Sequence, residues 1–551
     1  MSRLFFRSVS VSRIFVVCAC CAIVFSLASQ AVAQTPPPLD GRNQGRPDVV
    51  QPRGIGGVPG GVTLNDFQPL LDLIKGTIDT DVWGDEGNGS ASIQPYPQGV
   101  FADAEGTLKF EPAKKLKPSA DALTDFVDRA APENKLKTKP PEVAGDVRLA
   151  SKLRFVSLPR LEAALTTHVK QRKALPPEIL TLAGLQRIQY VLVVPATDQQ
   201  PGDLILAGPA GDWQTNDDGI IVSQDHGQPV VRIDDLLTLW RRANPTEPFG
   251  VTINPTEDGL AAMQNYLTTT TTKPIKRAKR DKWVDGIRKS VGKQNVQFFN
   301  LQPNSHVAKI LLTADYHMKC IGMGIAEPVK GIDSYLSTVR LGPDGKAPPM
   351  SVLRWWFAMN YQPVAVSEDN QVFELRGEGA KVLSENQLMA ARGKRVRTGK
   401  SDALNTRFAE SFSRHFGKIC QEYPLYGELR NVFDLSLTLA LIEKQSLLDR
   451  AGWQPKLLLD PVALQLPKVA VADEVDTIAN YTVLDKKVIV AGVSGGVWVD
   501  AKKQLASASN SDHAIGSDNQ AKAIPGDLAS VRPKQETATD DHPVVWWWDR
   551  P

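Results

Sequence analysis

The pattern of apolar and polar residues predicts an alternation of helices and strands from residue 148 to about residue 500. Apolar residues recur every three or four positions in several segments, which is typical of helices with a buried face. The segments with this pattern are 157–171, 234–243, 256–267, 305–322, 402–422 and 425–450. Shorter runs rich in β-branched and aromatic residues predict strands and hairpins. These runs are 187–195, 203–207, 220–223, 249–253, 294–299, 361–378, 482–490 and 497–499.

The same pattern predicts the fold class and the folded domains. Segment 425–450 is apolar on nearly all sides, so we expect a core helix there. Because hairpins and helices are mixed along the chain, we predict a multidomain α+β protein with small mixed sheets and long core helices. A threonine-rich and basic connector at 268–282 separates an α/β domain at 148–270 from an α+β domain at 283–502.

Between residue 33 and these domains lie three segments that differ in composition. Residues 34–61 are rich in proline and glycine and poor in apolar residues, which predicts a disordered leader. Residues 62–110 predict a small module with one helix and short strands around Ile93 and Val100. Lysine and proline dominate much of 111–147, which we interpret as a linker.

The C-terminal segment, residues 503–551, is polar and rich in serine, alanine and aspartate, so we predict a disordered tail. It ends near three consecutive tryptophans, Trp546, Trp547 and Trp548. Three indoles are costly to leave in water. We therefore expect them to dock into a groove on this protein or on a partner.

Residues 1–33 have the features of a secretory signal peptide. Three arginines and no acidic residue lie in the first 13 positions, and an apolar run follows at 14–28. Small residues then predict cleavage between Ala33 and Gln34, with export to the periplasm, the cell surface or the medium. The apolar run is shorter than the roughly 20 residues that cross a bilayer, and no later run reaches about 18. We expect no transmembrane helix in the mature chain, with an uncleaved anchor or a lipoprotein as alternatives.

Charge excludes some partners and leaves others open. The chain has a net charge of +3, and removal of the signal peptide with its three arginines brings the net charge to zero. A neutral chain has no overall field that attracts nucleic acid. Two basic clusters could bind an anionic envelope polymer, with solvated loops as the alternative. The candidate residues are Lys273, Lys276, Arg277, Lys279, Arg280, Arg392, Lys394, Arg395 and Arg397.

Residues 492–496 match the G-x-S-x-G pattern of a serine nucleophile, with Ser494 at its centre. That pattern requires a helix after the serine, but the strand pattern continues at 497–499, which argues against an α/β-hydrolase. A trypsin-type set with Ser494, His317 and Asp315 is the alternative. The intervening helices do not suit that fold, so we interpret residues 492–496 as a glycine-rich hairpin turn.

Other motifs are incomplete. Gly399-Lys400-Ser401 lacks the glycine spacing of a phosphate loop, so we expect Ser401 or Asp402 to cap a helix. Histidines and cysteines show no paired metal-ligand spacing, and we predict no metal or cofactor. Removal of the signal peptide leaves two cysteines, Cys320 and Cys420. In an oxidising compartment they could form a disulfide, and two separately buried thiols are the alternative.

Several short motifs carry a resemblance to known families. Residues 70–83 with Ser92-Ile93-Gln94-Pro95 resemble a segment of planctomycete exported proteins that is related to secretin-type N-domains. From 148 to about 498 the chain is similar to a planctomycete family of secreted proteins defined by a domain of unknown function. The residues that carry this similarity are Leu206–Pro209, Ala314–Lys319, Tyr423-Pro424, Leu429–Asn431 and Ser494–Val497. The resemblance implies export and no particular activity.

The sequence favours a non-catalytic assembly or interaction protein of the cell envelope, because no catalytic set is complete and the mature chain is neutral. Its expected partners are other envelope proteins. A module that binds anionic polymer and an unrecognised serine hydrolase are the alternatives. No feature of the sequence predicts an oligomeric state.

Overall fold

The computed structural model describes residues 92–96, 99–103, 146–171, 174–271, 275–341, 352–389, 394–507 and 544–549. The predicted signal peptide with its predicted Ala33–Gln34 cleavage site, the predicted leader, most of the predicted N-terminal module and most of the predicted linker lie outside the described residues. The strands predicted around Ile93 and Val100 are present as an antiparallel pair, β1 (Ser92–Tyr96) and β2 (Gly99–Asp103).

The helices and the remaining strands confirm the predicted α+β fold class. The described helices are α1 (Leu158–Lys170), α2 (Pro177–Leu180), α3 (Ile233–Trp240), α4 (Glu257–Thr270), α5 (Arg280–Val291), α6 (His306–Gly322), α7 (Tyr335–Thr338), α8 (Ala403–Arg414), α9 (Phe416–Glu422), α10 (Pro424–Lys444), α11 (Leu447–Arg450) and α12 (Ala501–Ser507). The described strands are β3 (Ser151–Ser157), β4 (Tyr190–Val194), β5 (Asp203–Ala210), β6 (Trp213–Thr215), β7 (Ile221–Ser223), β8 (Phe249–Pro255), β9 (Gln294–Phe299), β10 (Val352–Asn360), β11 (Ala365–Val366), β12 (Val372–Glu374), β13 (Gly379–Met389), β14 (Arg395–Arg397), β15 (Glu474–Val475), β16 (Ala479–Leu484), β17 (Lys487–Val499) and β18 (Trp547–Asp549).

Side-chain caps explain where several helices begin. Ser157 Oγ accepts a hydrogen bond from the Arg160 backbone N–H at 3.3 Å, and Asp402 accepts from Asn405 N–H at 2.8 Å. Such caps satisfy backbone donors that have no partner inside the helix. The prediction that residue 401 or 402 caps a helix is therefore confirmed, with Asp402 as the cap.

Two sheets organise the part of the chain that the structure describes. The smaller sheet has the order β11-β12-β4-β5-β3-β18, and the larger has the order β14-β13-β10-β17-β8-β9-β15, with β16 paired to β17. Both sheets take strands from the two predicted domains, since β8 lies in the larger sheet while β11 and β12 lie in the smaller. Both sheets therefore continue across the predicted domain boundary at 270–283. The division of the chain into two domains there stays a prediction from the sequence.

Helices α6 and α10 pack together beside the larger sheet and form much of the core. The leucines of α10 are buried on nearly all sides, which confirms the core helix predicted there. Trp355 of β10 packs against Phe408 of α8, with ring centroids 4.3 Å apart. This aromatic contact holds one face of the larger sheet against the helices.

The interpretation of residues 492–496 as a hairpin turn is wrong. These residues lie inside β17, which pairs in parallel with β10 and antiparallel with β8. The hairpin turn lies earlier, at Asp485 and Lys486, whose φ values are 45° and 66°. Gly495 and Gly496 have φ values of 153° and 150°, which explains why glycine stands inside this strand.

Candidate functional site

The three residues considered for serine-type catalysis have different partners. Asp315 and His317 are two positions apart on α6, so their side chains point to different sides of the helix. Asp315 Oδ2 lies 2.5 Å from Lys319 Nζ, and His317 Nδ1 lies 3.0 Å from the hydroxyl of Tyr426. This geometry does not build the acid–base–nucleophile chain of a serine hydrolase.

Burial sets the protonation of these groups. It lowers the pKa of His317 to about 4, so the imidazole is neutral near pH 7. It also raises the pKa of Asp315 and lowers that of Lys319, while their mutual attraction opposes both changes. The Asp315–Lys319 pair and the neutral His317 are therefore parts of the core between α6, α10 and β17.

Ser494 belongs to a polar row that crosses the larger sheet. It pairs with Arg354 of β10, which in turn pairs with Glu385 of β13. Arg395 of β14 donates to Asn254 Oδ1 at 2.8 Å and lies 3.5 Å from Ser494 Oγ. The structure thus brings together two residues predicted separately, Ser494 and Arg395.

Three arginines, Arg354, Arg395 and Arg397, define what we call the arginine face. Glu385 Oε2 lies 3.4 Å from Arg354 Nη1 and 3.7 Å from Arg397 Nε, so one carboxylate lies between two guanidinium groups. Burial, together with repulsion from Arg397 and Arg395, lowers the pKa of Arg354 to about 10. Desolvation also lowers the pKa of Arg395. The arginine face therefore places three positive charges together, from the buried Arg354 to the exposed Arg397.

The other basic residues predicted to bind polymer lie in two separate regions of the structure. Lys276, Arg277 and Lys279 are exposed in the connection between α4 and α5, and Arg280 at the start of α5 is half-buried. Lys394 is exposed at the start of β14. Lys273 and Arg392 lie outside the described residues. The two predicted clusters thus lie in different parts of the fold.

Sequence reasoning missed a cluster of acidic and histidine side chains at the start of α3 and α6. His306 Nδ1 lies 2.9 Å from Asp235 Oδ1, and Arg232 forms two hydrogen bonds with Asp234, at 2.9 and 2.7 Å. Asp234, Asp235 and His306 offer ligand atoms within 4.8 Å of one another. Glu428 of α10 approaches the other ring nitrogen of His306 at 3.5 Å.

This cluster has the composition of a metal site, but its charges already have partners inside it. Although burial opposes the effect, the Arg232 guanidinium lowers the pKa of Asp234. Burial raises the pKa of Glu428. We therefore describe the cluster as an ion-pair network that ties α3, α6 and α10 together. The adjacent acids Asp234 and Asp235 were the sequence signal for this cluster. His306 lies 71 positions after Asp235, so no local pattern connects it with them.

Cys320 and Cys420 do not form the disulfide considered above. Cys320 of α6 and Cys420 of α9 are free and buried. Burial raises the pKa of both thiols to about 12. Two protonated, inaccessible thiols serve as small apolar groups in the core.

The terminal tryptophans dock on this protein. Strand β18 pairs antiparallel with β3, and Trp547 and Trp548 lie opposite Val156 and Phe155. The ring of Trp548 stacks on that of Phe155 with centroids 5.7 Å apart. Trp546, Trp547 and Trp548 are 7%, 8% and 3% exposed. One of the two predicted alternatives, docking within the protein, is thus observed.

A buried arginine fixes the end of this strand. Arg154 of β3 is 0% exposed and makes two 2.8 Å hydrogen bonds with the carboxylate of Asp549. It also donates to the backbone carbonyls of Val147, Leu149 and Ala183. Two parallel hydrogen bonds between a guanidinium and a carboxylate are strong and directional. Main-chain pairing, aromatic stacking and this ion pair together hold β18 in its groove at the edge of β3.

Comparison with known families adds one assignment. Residues 251–335 match the model of a family described as a protein of unknown function, DUF1598. The chain contains a domain of unknown function. The DUF1598 segment begins in β8 and includes α4, α5, β9 and α6, so it supplies the exposed basic connection and part of the larger sheet. No curated protein and no solved structure gave a significant match.

Among the described residues, no helix is both long enough and apolar enough to span a bilayer.

Proposed function

We propose that the protein is an exported cell-envelope protein that works by binding other envelope proteins and not by catalysis. The observation that carries this proposal is the capture of the segment Trp546–Asp549 by the edge of β3. Extended peptides are commonly recognised by such strand addition, in which main-chain hydrogen bonds give affinity and side-chain pockets give specificity. The structural partners of Asp315 and His317 agree with a non-catalytic role.

A peptide-binding assay tests the groove directly. A chain that lacks residues 544–551 leaves the edge of β3 open, and a labelled peptide of residues 544–551 should bind it with micromolar affinity. The matched control is the same peptide with Asp549→Asn, which removes the carboxylate that Arg154 binds. Absence of binding would contradict recognition by strand addition, and equal binding of the control peptide would contradict a contribution of Arg154 to that recognition.

The location needs its own test. Fractionation of the producing cell should recover a chain that begins at Gln34 outside the cytoplasm, because the first 33 residues have the features of a signal peptide. Crosslinking in the envelope fraction should then join the chain to other envelope proteins. A cytoplasmic chain with an intact N-terminus would overturn the export proposal.

A second candidate function is binding of anionic envelope polymer at the connection between α4 and α5. Lys276, Arg277 and Lys279 are exposed there, and among the described residues no carboxylate forms an ion pair with them. Replacement of these three by glutamine should abolish retention on an acidic glycan at low salt. The matched control replaces three exposed lysines elsewhere, Lys152, Lys456 and Lys468. Equal loss in both variants would indicate nonspecific attraction.

A further inference from the structure

We propose that the arginine face of the larger sheet binds a tetrahedral oxyanion, either free phosphate or sulfate or such a group carried by a larger ligand. This site is separate from the groove at β3 and from the exposed connection between α4 and α5. Four features of this part of the sheet favour an oxyanion: the convergence of guanidinium groups, the balance of charge, buried polar groups without partners among the described residues, and access from the sheet edge.

The guanidinium groups converge because neighbouring strands present them on one face. Arg354 lies directly opposite Ser494 on one side and Glu385 on the other. Arg397 pairs with Gln387, two residues after Glu385, and so faces the same side of the sheet. Arg395, two residues before Arg397, reaches across to Ser494 and Asn254. Planar guanidinium groups in this arrangement suit an oxyanion with several acceptor oxygens.

The balance of charge favours an anion. The Glu385 carboxylate contacts Arg354 and Arg397, and its Oε1 also accepts a hydrogen bond from Gly399 N–H at 3.0 Å. Glu257, at the exposed start of α4, interacts electrostatically with Arg395. Exposed Lys394 and Lys400 add positive charge at the rim. Cations therefore outnumber anions in this described region, and a bound oxyanion would offset the cost of burying them.

Two buried polar groups on this face have no hydrogen-bond partner among the described residues. They are Trp356 Nε1 and Gln387 Oε1, in side chains that are 3% and 4% exposed. The guanidinium carbon of Arg354 lies 4.9 Å from the centre of the Trp356 ring, so the indole is at the arginine face itself. Buried donors normally have partners. A ligand oxygen at this face would supply an acceptor for the indole N–H.

The site is accessible from the edge of the sheet. Strand β14 is the terminal strand of the larger sheet, and the side chain of Arg397 is 37% exposed. Arg354 is buried behind it at 6% exposure. An anion can therefore enter beside β14 and meet the more deeply buried guanidinium after contact with the exposed one.

Binding of inorganic phosphate and of inorganic sulfate to the full mature chain is the first measurement. At equal ionic strength, either anion should raise the melting temperature of the wild-type chain several degrees more than that of Arg395→Gln, because general stabilisation by these salts is common to both chains and only binding to the folded state differs. Arg395→Gln should weaken binding at least tenfold, as expected for the loss of charge-assisted hydrogen bonds. Lys394→Gln removes the same charge from an exposed neighbour and should weaken binding less than threefold.

Glu385→Gln gives a test with the opposite sign. Removal of the carboxylate that lies between two guanidinium groups should strengthen anion binding by about tenfold, although it lowers stability. A purely structural role of the arginines would give no such gain. If Arg395→Gln does not fold, Arg397→Gln at the half-exposed position replaces it with the same expectation.

Two outcomes overturn the proposal. One is that neither phosphate nor sulfate stabilises the wild-type chain more than Arg395→Gln. The other is that Lys394→Gln weakens binding as much as Arg395→Gln, which would indicate general attraction to a basic edge. Where binding is found, competition by a phosphorylated or sulfated glycan identifies a group carried by a polymer. Lack of competition identifies the free ion as the ligand.

Discussion

The glycines of β17 give the sharpest test of the fold. Gly495 and Gly496 lie where this strand passes between β10 and β8. A Cβ atom at Gly495 would overlap the carbonyl oxygen of Trp355, and one at Gly496 would overlap that of Val251. Gly492 lies in the same strand, but there a Cβ would stand 3.8 Å from Ile478 O and 3.9 Å from the Ala479 side chain. Alanine at 492 and alanine at 495 therefore form a matched pair.

The structure predicts very different effects of Gly495→Ala and Gly492→Ala on the free energy of unfolding. Gly495→Ala must move β10 away from β17, and each ladder hydrogen bond lost costs about 1 kcal/mol. The φ of 153° adds about 1–3 kcal/mol of strain for a residue with a side chain. We expect a total of at least about 4 kcal/mol, a large part of a typical domain's stability. Gly492→Ala should instead stabilise the protein by about 0.5–1 kcal/mol, because alanine restricts the unfolded chain.

Better packing also contributes to the stabilisation expected for Gly492→Ala. Gly492 lines an apolar cavity of about 60 Å³, together with Leu260, Met263, Ile287 and Val493. A methyl group that reaches this cavity gains contacts without displacing backbone atoms. The gain at 492 therefore has two sources, chain entropy and packing.

Urea-induced unfolding, followed by tryptophan fluorescence, measures both variants. The midpoint should rise for Gly492→Ala, and Gly495→Ala should unfold at much lower urea or fail to accumulate as soluble protein. A Gly495→Ala variant within 1 kcal/mol of the wild type would refute the close approach of β10 and β17. Equal destabilisation by both variants would show that the strand tolerates no side chain anywhere, which contradicts the geometry at Gly492.

Three further predictions concern single buried groups. Asp549→Ala leaves the buried Arg154 without its carboxylate and should lower the free energy of unfolding by about 3 kcal/mol in urea titrations. His317 has a pKa of about 4 in the folded chain and about 6.5 when unfolded, so the unfolded chain binds the proton first. Stability should therefore fall by about 3 kcal/mol between pH 6.5 and pH 4, and His317→Gln should reduce that fall. Cys320 and Cys420 should react with a thiol reagent only in denaturant, and both should react there without a reductant.

The positions of many helices and strands could be predicted from the sequence, because they depend on residues that are close together in the chain. The strand predicted at 294–299 has those bounds, and the helix predicted at 305–322 begins one residue later, after its Ser305 cap. The helix predicted at 402–422 is interrupted at His415, which both ends α8 and precedes α9. Apolar spacing continues across this residue, so periodicity alone gave no sign of the interruption.

Pairing between distant strands did not follow from the sequence. The groups at the arginine face come from β8, β10, β13, β14 and β17, and Arg395 is 141 positions from Asn254. No local pattern states that β10 and β17 lie side by side, since parallel neighbours need no particular spacing along the chain. The turn predicted at residues 492–496 was wrong for the same reason, because the neighbouring strands β10 and β8 are distant in the sequence. Glycine usually marks a turn, but here it permits close approach of a neighbouring backbone.

The two glycines also connect the faces of the larger sheet. On one face the backbone of Gly496 helps to lower the pKa of the Asp315 carboxyl against the effect of burial, and Asp315 Oδ2 lies 2.5 Å from Lys319 Nζ. On the other face lies Arg354, whose charge further lowers the pKa of Lys319. The charge of Arg354 therefore acts on the Asp315–Lys319 pair through the sheet, because charges among buried groups are weakly screened. An oxyanion beside Arg354 would offset the repulsion on Lys319 and stabilise the Asp315–Lys319 pair in its charged form. Binding at the arginine face and the stability of the core beneath β17 are therefore expected to rise together.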